Sequence, residues 1–154
     1  MNDPRFDDFF SLLMILEGPQ DNNPHDRGGE TKFGITKPTI ESYNRRFKKN
    51  LDMKTLTRFE AKEIYYEVYF KEIKPTGNDF ADYLYFDLCV NSGLFYYHNC
   101  LAQCGNDPSK IINWRKNYYA ILCKKIPSQE EFLKGWLNRL NIINGHFSQA
   151  NSHA

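Results

Sequence analysis

The chain has 154 residues, with 20 Lys and Arg against 19 Asp and Glu, and so a formal net charge of +1. One domain with its own core fits that length, and the near-zero charge argues against a protein that grips nucleic acid electrostatically. A hydrophobic fraction of 41% with 25% charged residues excludes wholesale disorder, while the aromatic fraction of 16% leaves two readings open: a ring-heavy core, or rings shown to flat ligands such as sugars and bases.

Residues 6–17, FDDFFSLLMILE, are apolar at positions 6, 9, 10, 12, 13 and 16, which predicts a helix with one broad buried face. Gly18 and Pro19 stop it. From residue 18 to 36 the chain changes character, with four glycines, two prolines and a run of acids and amides from Gln20 to Asp26. This is turn chemistry, with room for a short hairpin around Thr31–Ile35, and a stretch this long without regular structure in a small domain is usually functional.

Thr36 as N-cap with Pro38 in the first turn predicts a second helix to about Phe47. Thr57-x-x-Glu60 is a capping box that opens a third over FEAKEIYYEVYF. Phe80–Ser92 is largely apolar and reads as a buried central helix, ended or bent by Gly93. A shorter helix from about Phe95 to Cys104 follows, and Asp107-Pro108 caps another to about Lys125. Ser128-x-x-Glu131 reads as a second capping box, leading a last helix over FLKGWLNRLNII. The expectation is a mainly α fold with at most a small hairpin: one domain over residues 1–144 and a flexible tail over 145–154.

No stretch approaches the ~20 apolar residues of a membrane span. The opening MNDPRFDDFF carries acids where a signal peptide carries Lys or Arg, which predicts synthesis in the cytoplasm. Cys89, Cys100, Cys104 and Cys123 are then expected as free, mostly buried thiols. The histidines are scattered and no metal-ligand spacing stands out, so neither metal nor cofactor is expected.

The acids carry the chemistry. Glu17 ends an apolar helix immediately before the Gly-rich segment. A carboxyl set among apolar groups keeps its proton, as a general acid for glycoside cleavage must. Asp26 lies nine residues on in a loop able to fold back, and Gly28 and Gly29 let backbone approach a ligand closely. Thr31 offers a hydroxyl for a water or a sugar group. The competing structural reading makes Asp26 a turn cap and Glu17 a solvated helix end.

The wider string Glu17-Gly-Pro-Gln-Asp-Asn-Asn-Pro-His-Asp26-Arg-Gly-Gly-Glu-Thr31-Lys-Phe-Gly34-Ile-Thr36 resembles the signature of the glycoside hydrolase family 108 N-acetylmuramidases, approximately E-G-G-Y-x-x-D-P-x-D-x-G-G-x-T-x-x-G-I-T. The likeness continues in Leu56-Thr57-x-x-Glu60-Ala61-x-x-Ile64-Tyr65, in Phe86-Asp87-x-x-Val90-Asn91-x-Gly93 and in Phe132-Leu133-x-Gly135-Trp136-x-Asn138-Arg139. Pro19, Gln20 and Asn23 depart from it. The resemblance implies a lysozyme-like α domain that cleaves the β-1,4 bond between N-acetylmuramic acid and N-acetylglucosamine in peptidoglycan. It implies Glu17 as the catalytic acid; the candidate substrate contacts in this sequence are Gly34, Tyr65, Asn91 and Trp136. The Glu-x8-Asp-x4-Thr spacing also looks like the triad of T4-type phage lysozymes, where the second gap is one residue longer; by that analogy Asp26 and Thr31 position the attacking water.

From the residues themselves Asn91 is either a cleft contact or a structural amide, and Trp136 and the Tyr65–Tyr69 stripe read first as core. Arg139 is expected to pair with an internal carboxylate, with Asp87 the candidate. The expected protein is a monomer whose partner is bacterial peptidoglycan, reached through a holin or export pore. A lytic transglycosylase and a catalytically silent wall-binding module are the alternatives.

Overall fold

A computed structural model describes residues 1, 3–17, 20–21 and 30–152. The described residues are mainly helical. In chain order they form α1 (Arg5–Glu17), β1 (Gln20–Asp21), β2 (Thr31–Lys32), β3 (Ile35–Thr36), α2 (Lys37–Phe47), α3 (Arg58–Val68), α4 (Asp79–Ser92), α5 (Leu94–Cys104), α6 (Pro108–Lys125) and α7 (Leu133–Ser152). Short 3-10 turns at Met53–Thr55, Phe70–Glu72 and Pro127–Phe132 complete the connections. None of the described helices is long and apolar enough to cross a membrane. The chain divides into two compact units, Met1–Glu72 and Ile73–Ala154.

The first unit is built on the expected face of α1. Phe6, Phe9, Phe10, Leu12 and Leu13 are all buried. The Phe6 ring meets Phe70 at 4.9 Å and Tyr66 edge-on at 5.1 Å, and Phe10 meets Tyr65 at 6.0 Å. These separations are those of favourable aromatic pairs. The helix starts are held by the capping groups the sequence names. Thr36 accepts from the Thr39 amide, and Thr57 and Glu60 satisfy one another's backbone amides at 3.1 and 2.9 Å. One feature exceeds expectation: the hairpin of β2 and β3 is joined by β1, which pairs antiparallel with β2, so the sheet has three strands.

In the second unit α4 is buried from Ala81 to Cys89 without interruption. A helix buried on every side must satisfy its polar groups internally. The Tyr85 hydroxyl donates to the Gly105 carbonyl at 2.6 Å, and Asp82 accepts from the amide and the hydroxyl of Thr76 at 2.9 and 2.7 Å. Asp107 caps α6 through the Ser109 and Lys110 amides. Cys89, Cys100 and Cys104 are buried thiols and Cys123 is half-buried.

Two expectations about the last helix do not hold. Ser128 caps nothing: Ile126 is the residue before the turn, and Pro127 begins the 3-10 segment at once. Ser128 therefore lies inside a turn, whereas an N-cap needs extended backbone. At the other end α7 runs past Gly145 to Ser152, where a tail was expected. Phe147 explains the extension, because its ring stacks on Phe80 at 5.0 Å and leans on Tyr83 at 5.7 Å.

Candidate active site

The last residue of α1 is Glu17, half-buried, and the turn between β2 and β3 lies beside it. That turn is Phe33-Gly34. Lys32 faces Ile35, so two residues close the hairpin, and both have positive φ: 53° at Phe33 and 78° at Gly34. Positive φ at both central residues is the requirement of a type I′ turn, which matches the twist of the strands. Glycine meets it freely, but phenylalanine is strained there by about 1–2 kcal/mol. A tether opposes the strain: the Tyr65 hydroxyl of α3 donates to the Phe33 carbonyl at 2.6 Å.

Space at Gly34 is already taken. A methyl group built on it would lie 2.6 Å from the Tyr65 hydroxyl and 2.9 Å from both Cγ and Oε2 of Glu17. The end of α1, the turn and Tyr65 thus converge on one glycine, and the Glu17 side chain lies close against its backbone. Tyr65 itself is 1% exposed, so its ring is a support within the unit and offers no face to a ligand. This corrects its expected place as a sugar contact. Thr31 lies on β2 of the same hairpin, opposite Thr36, and is 9% exposed. Asp26, expected as the second acid, lies outside the described residues, as do Gly28 and Gly29.

The second unit contains the other expected residues, Asn91 and Trp136, and joins them through Tyr119. The Tyr119 hydroxyl donates to Asn91 Oδ1 at 3.1 Å, and its ring stacks on the Trp136 indole at 5.0 Å and 27°. Trp136 is half-buried and Asn91 exposed. Beneath them is a charge cluster. Asp87 and Arg115 are fully buried and pair at 2.7 Å, and Arg139 pairs with the other Asp87 oxygen at 2.7 Å, the pairing expected of it. Arg115 also donates to the Leu84 carbonyl at 3.2 Å and, from Nε and Nη2, to the Tyr119 hydroxyl at 3.1 and 2.6 Å. Burial alone would raise the Asp87 carboxyl, but the Arg139 and Arg115 charges outweigh it and hold it below the usual carboxylate range.

Arg115 and Tyr119 were not anticipated as site residues. Their signal is faint: Ile111, Arg115 and Tyr119 recur at four-residue spacing on the buried side of α6, so an arginine sits on an apolar stripe. A charge so placed is seldom buried without a partner.

The family model described as glycosyl hydrolase 108 matches residues 10–93. Among solved structures, SagA from Brucella abortus superposes with a TM-score of 0.71 at 23% identity, covering 92% of this chain and 92% of that one. The likeness establishes a shared fold. No curated relative matches the sequence.

Proposed function

The chain belongs to the glycosyl hydrolase 108 family, and from that membership we propose that it is a muramidase that hydrolyses the β-1,4 bond between N-acetylmuramic acid and N-acetylglucosamine, with Glu17 as general acid. The observation that supports Glu17 most directly is its seat against Gly34, in the turn that Tyr65 tethers. A proton donor must be held in reach of the leaving oxygen, and displacement by about 1 Å can cost about 100-fold in rate.

In this reading Glu17 protonates the glycosidic oxygen as the bond to the anomeric carbon breaks. A water then supplies the new C–O bond and yields its proton to Asp26, with Thr31 helping to orient that water. Asn91 and Trp136 contact the glycan. The reaction needs no cofactor, and the enzyme acts as a monomer that reaches the wall through a holin-type or export pore. Mass spectrometry of digested, purified cell walls tests the reaction type. Hydrolysis leaves reducing N-acetylmuramic acid ends; anhydromuramic ends would instead identify a lytic transglycosylase and overturn the assignment.

The Gly34 seat makes a separate prediction. Gly34→Ala would place a methyl group on Glu17 and Tyr65 at a positive φ, adding about 1–2 kcal/mol of backbone strain and displacing the acid. The expected outcome is a roughly 10- to 100-fold fall in kcat with a smaller change in KM, since positioning and not glycan affinity is disturbed. Steady-state kinetics on solubilised peptidoglycan checks it, and a change confined to KM would contradict it.

A further inference from the structure

The side chain of Asn91 is polarised by the network below it. The Tyr119 hydroxyl receives two hydrogen bonds from Arg115, at 3.1 and 2.6 Å. A phenol with both acceptor positions in use has only its proton left to give. Its third partner, Asn91 at 3.1 Å, must therefore turn its amide oxygen toward it. The Ser92 hydroxyl donates to the same oxygen at 3.0 Å. With Oδ1 committed to two donors, the part of this exposed side chain left for a ligand is the Nδ2 amide, which only donates. The orientation is fixed further down by Asp87, which holds Arg115 at 2.7 Å and is itself held by Arg139.

Tyr119 does two things at once. Its hydroxyl sets the amide, and its ring backs the half-buried indole of Trp136 at 5.0 Å. A donor-only amide held by the same tyrosine that backs an aromatic ring suits a ligand with an apolar face and an acceptor group beside it. On an N-acetylated sugar the strongest acceptor-only group is the acetamido carbonyl, since ring and glycosidic oxygens accept weakly and every hydroxyl both donates and accepts.

We propose that Asn91 is a specificity residue that donates from Nδ2 to an N-acetyl carbonyl of the glycan, and that Tyr119, anchored by Arg115 and Asp87, is the positioning residue that holds it donor-outward. This inference rests on the glycan-cleaving reading above and assigns the discrimination between N-acetylated and de-N-acetylated strands to a named residue and its support.

The test uses the full chain and two defined probes, N-acetylchitotetraose and its fully de-N-acetylated counterpart, with affinities measured by calorimetry and wall clearing measured in parallel. Wild type should favour the acetylated probe. Asn91→Asp keeps the shape and the acceptor for Tyr119 but replaces the donor with a carboxylate. It should weaken the acetylated probe by about three- to tenfold, the range of one neutral hydrogen bond, and shift preference toward the cationic, deacetylated one. Its melting temperature should hold or rise, because a carboxylate suits the positive neighbourhood of Arg115. If Asn91→Asp binds both probes as wild type does, Asn91 only satisfies Tyr119 and the proposal fails, while continued wall clearing leaves the hydrolase reading intact. If wild type binds and discriminates between the probes but clears no walls, the hydrolase reading fails and the specificity proposal stands. Should Asn91→Asp not fold, Tyr119→Phe decides: with one of the two donors to Oδ1 removed and only Ser92 left, discrimination between the probes should fall by a smaller factor, and unchanged discrimination would overturn the proposal.

Discussion

Glu17→Gln is expected to slow the clearing of purified cell walls by about 10²–10⁴-fold, the usual contribution of a positioned general acid. The substitution is nearly isosteric, so it leaves the close packing at Gly34 and the buried face of α1 undisturbed. Circular dichroism and melting temperature should stay near wild type. That pairing of a large kinetic loss with a conserved fold separates a proton donor from a helix-terminal residue that merely packs. A folded Glu17→Gln protein that clears walls at the wild-type rate would remove Glu17 from the mechanism. The alternative of a catalytically silent wall-binding module would then gain.

The largest expected effect on stability lies in the second unit. Asp87→Asn would leave Arg115, fully buried, and Arg139, nearly so, facing a neutral amide. Removing one partner of a buried ion pair costs about 3–5 kcal/mol, because the remaining charge stays out of water uncompensated. Urea unfolding at neutral pH should show a loss of that order. The pH dependence has a definite sign. Burial raises the Asp87 carboxyl and the two arginines more than reverse this, so its folded value lies below the unfolded one of about 3.9. Its contribution is therefore complete above that unfolded value and is lost as pH falls through the depressed one. The stability gap between wild type and Asp87→Asn should be constant from pH 7 to about 5 and narrow in acid. A gap that stays the same at pH 3 would show that the Asp87 charge is not what stabilises the cluster.

Much of the helical framework is legible from residues a few positions apart. Thr36, Thr57 with Glu60, and Asp107 with Pro108 start helices where the sequence places them, because a cap bonds amides within its own first turn. The apolar spacing of α1 locates its buried face for the same local reason. Ser128 shows where local reading fails: the four-residue pattern is present, but Pro127 starts a tighter turn first, so the cap position falls on Ile126 and Ser128 lies inside the turn. The end of α7 fails differently. Residues 145–152 carry no strong helix signal, and Phe147 is drawn into order by rings on α4, more than sixty positions earlier in the chain.

The aromatic fraction of 16% divides on the same principle. Most of the rings are packed, as in the Phe6–Tyr66–Phe70 group, and helical spacing alone predicts that. Tyr65 and Tyr119 take other roles, which depend on where their hydroxyls end. One reaches a carbonyl 32 positions away in a strained turn, and the other reaches an amide 28 positions away on α4.

By itself, then, the sequence determined the mainly α class, most helix starts, and the motif that carries Glu17, since each depends on short-range geometry or on a contiguous string of residues. Only the tertiary structure decided that Glu17 packs against Gly34 in a turn tethered by Tyr65, that Arg115 is a buried charge, and that Asn91 turns its donor outward. Those outcomes follow from hydrogen-bond saturation and excluded volume among groups that meet only when the chain has folded.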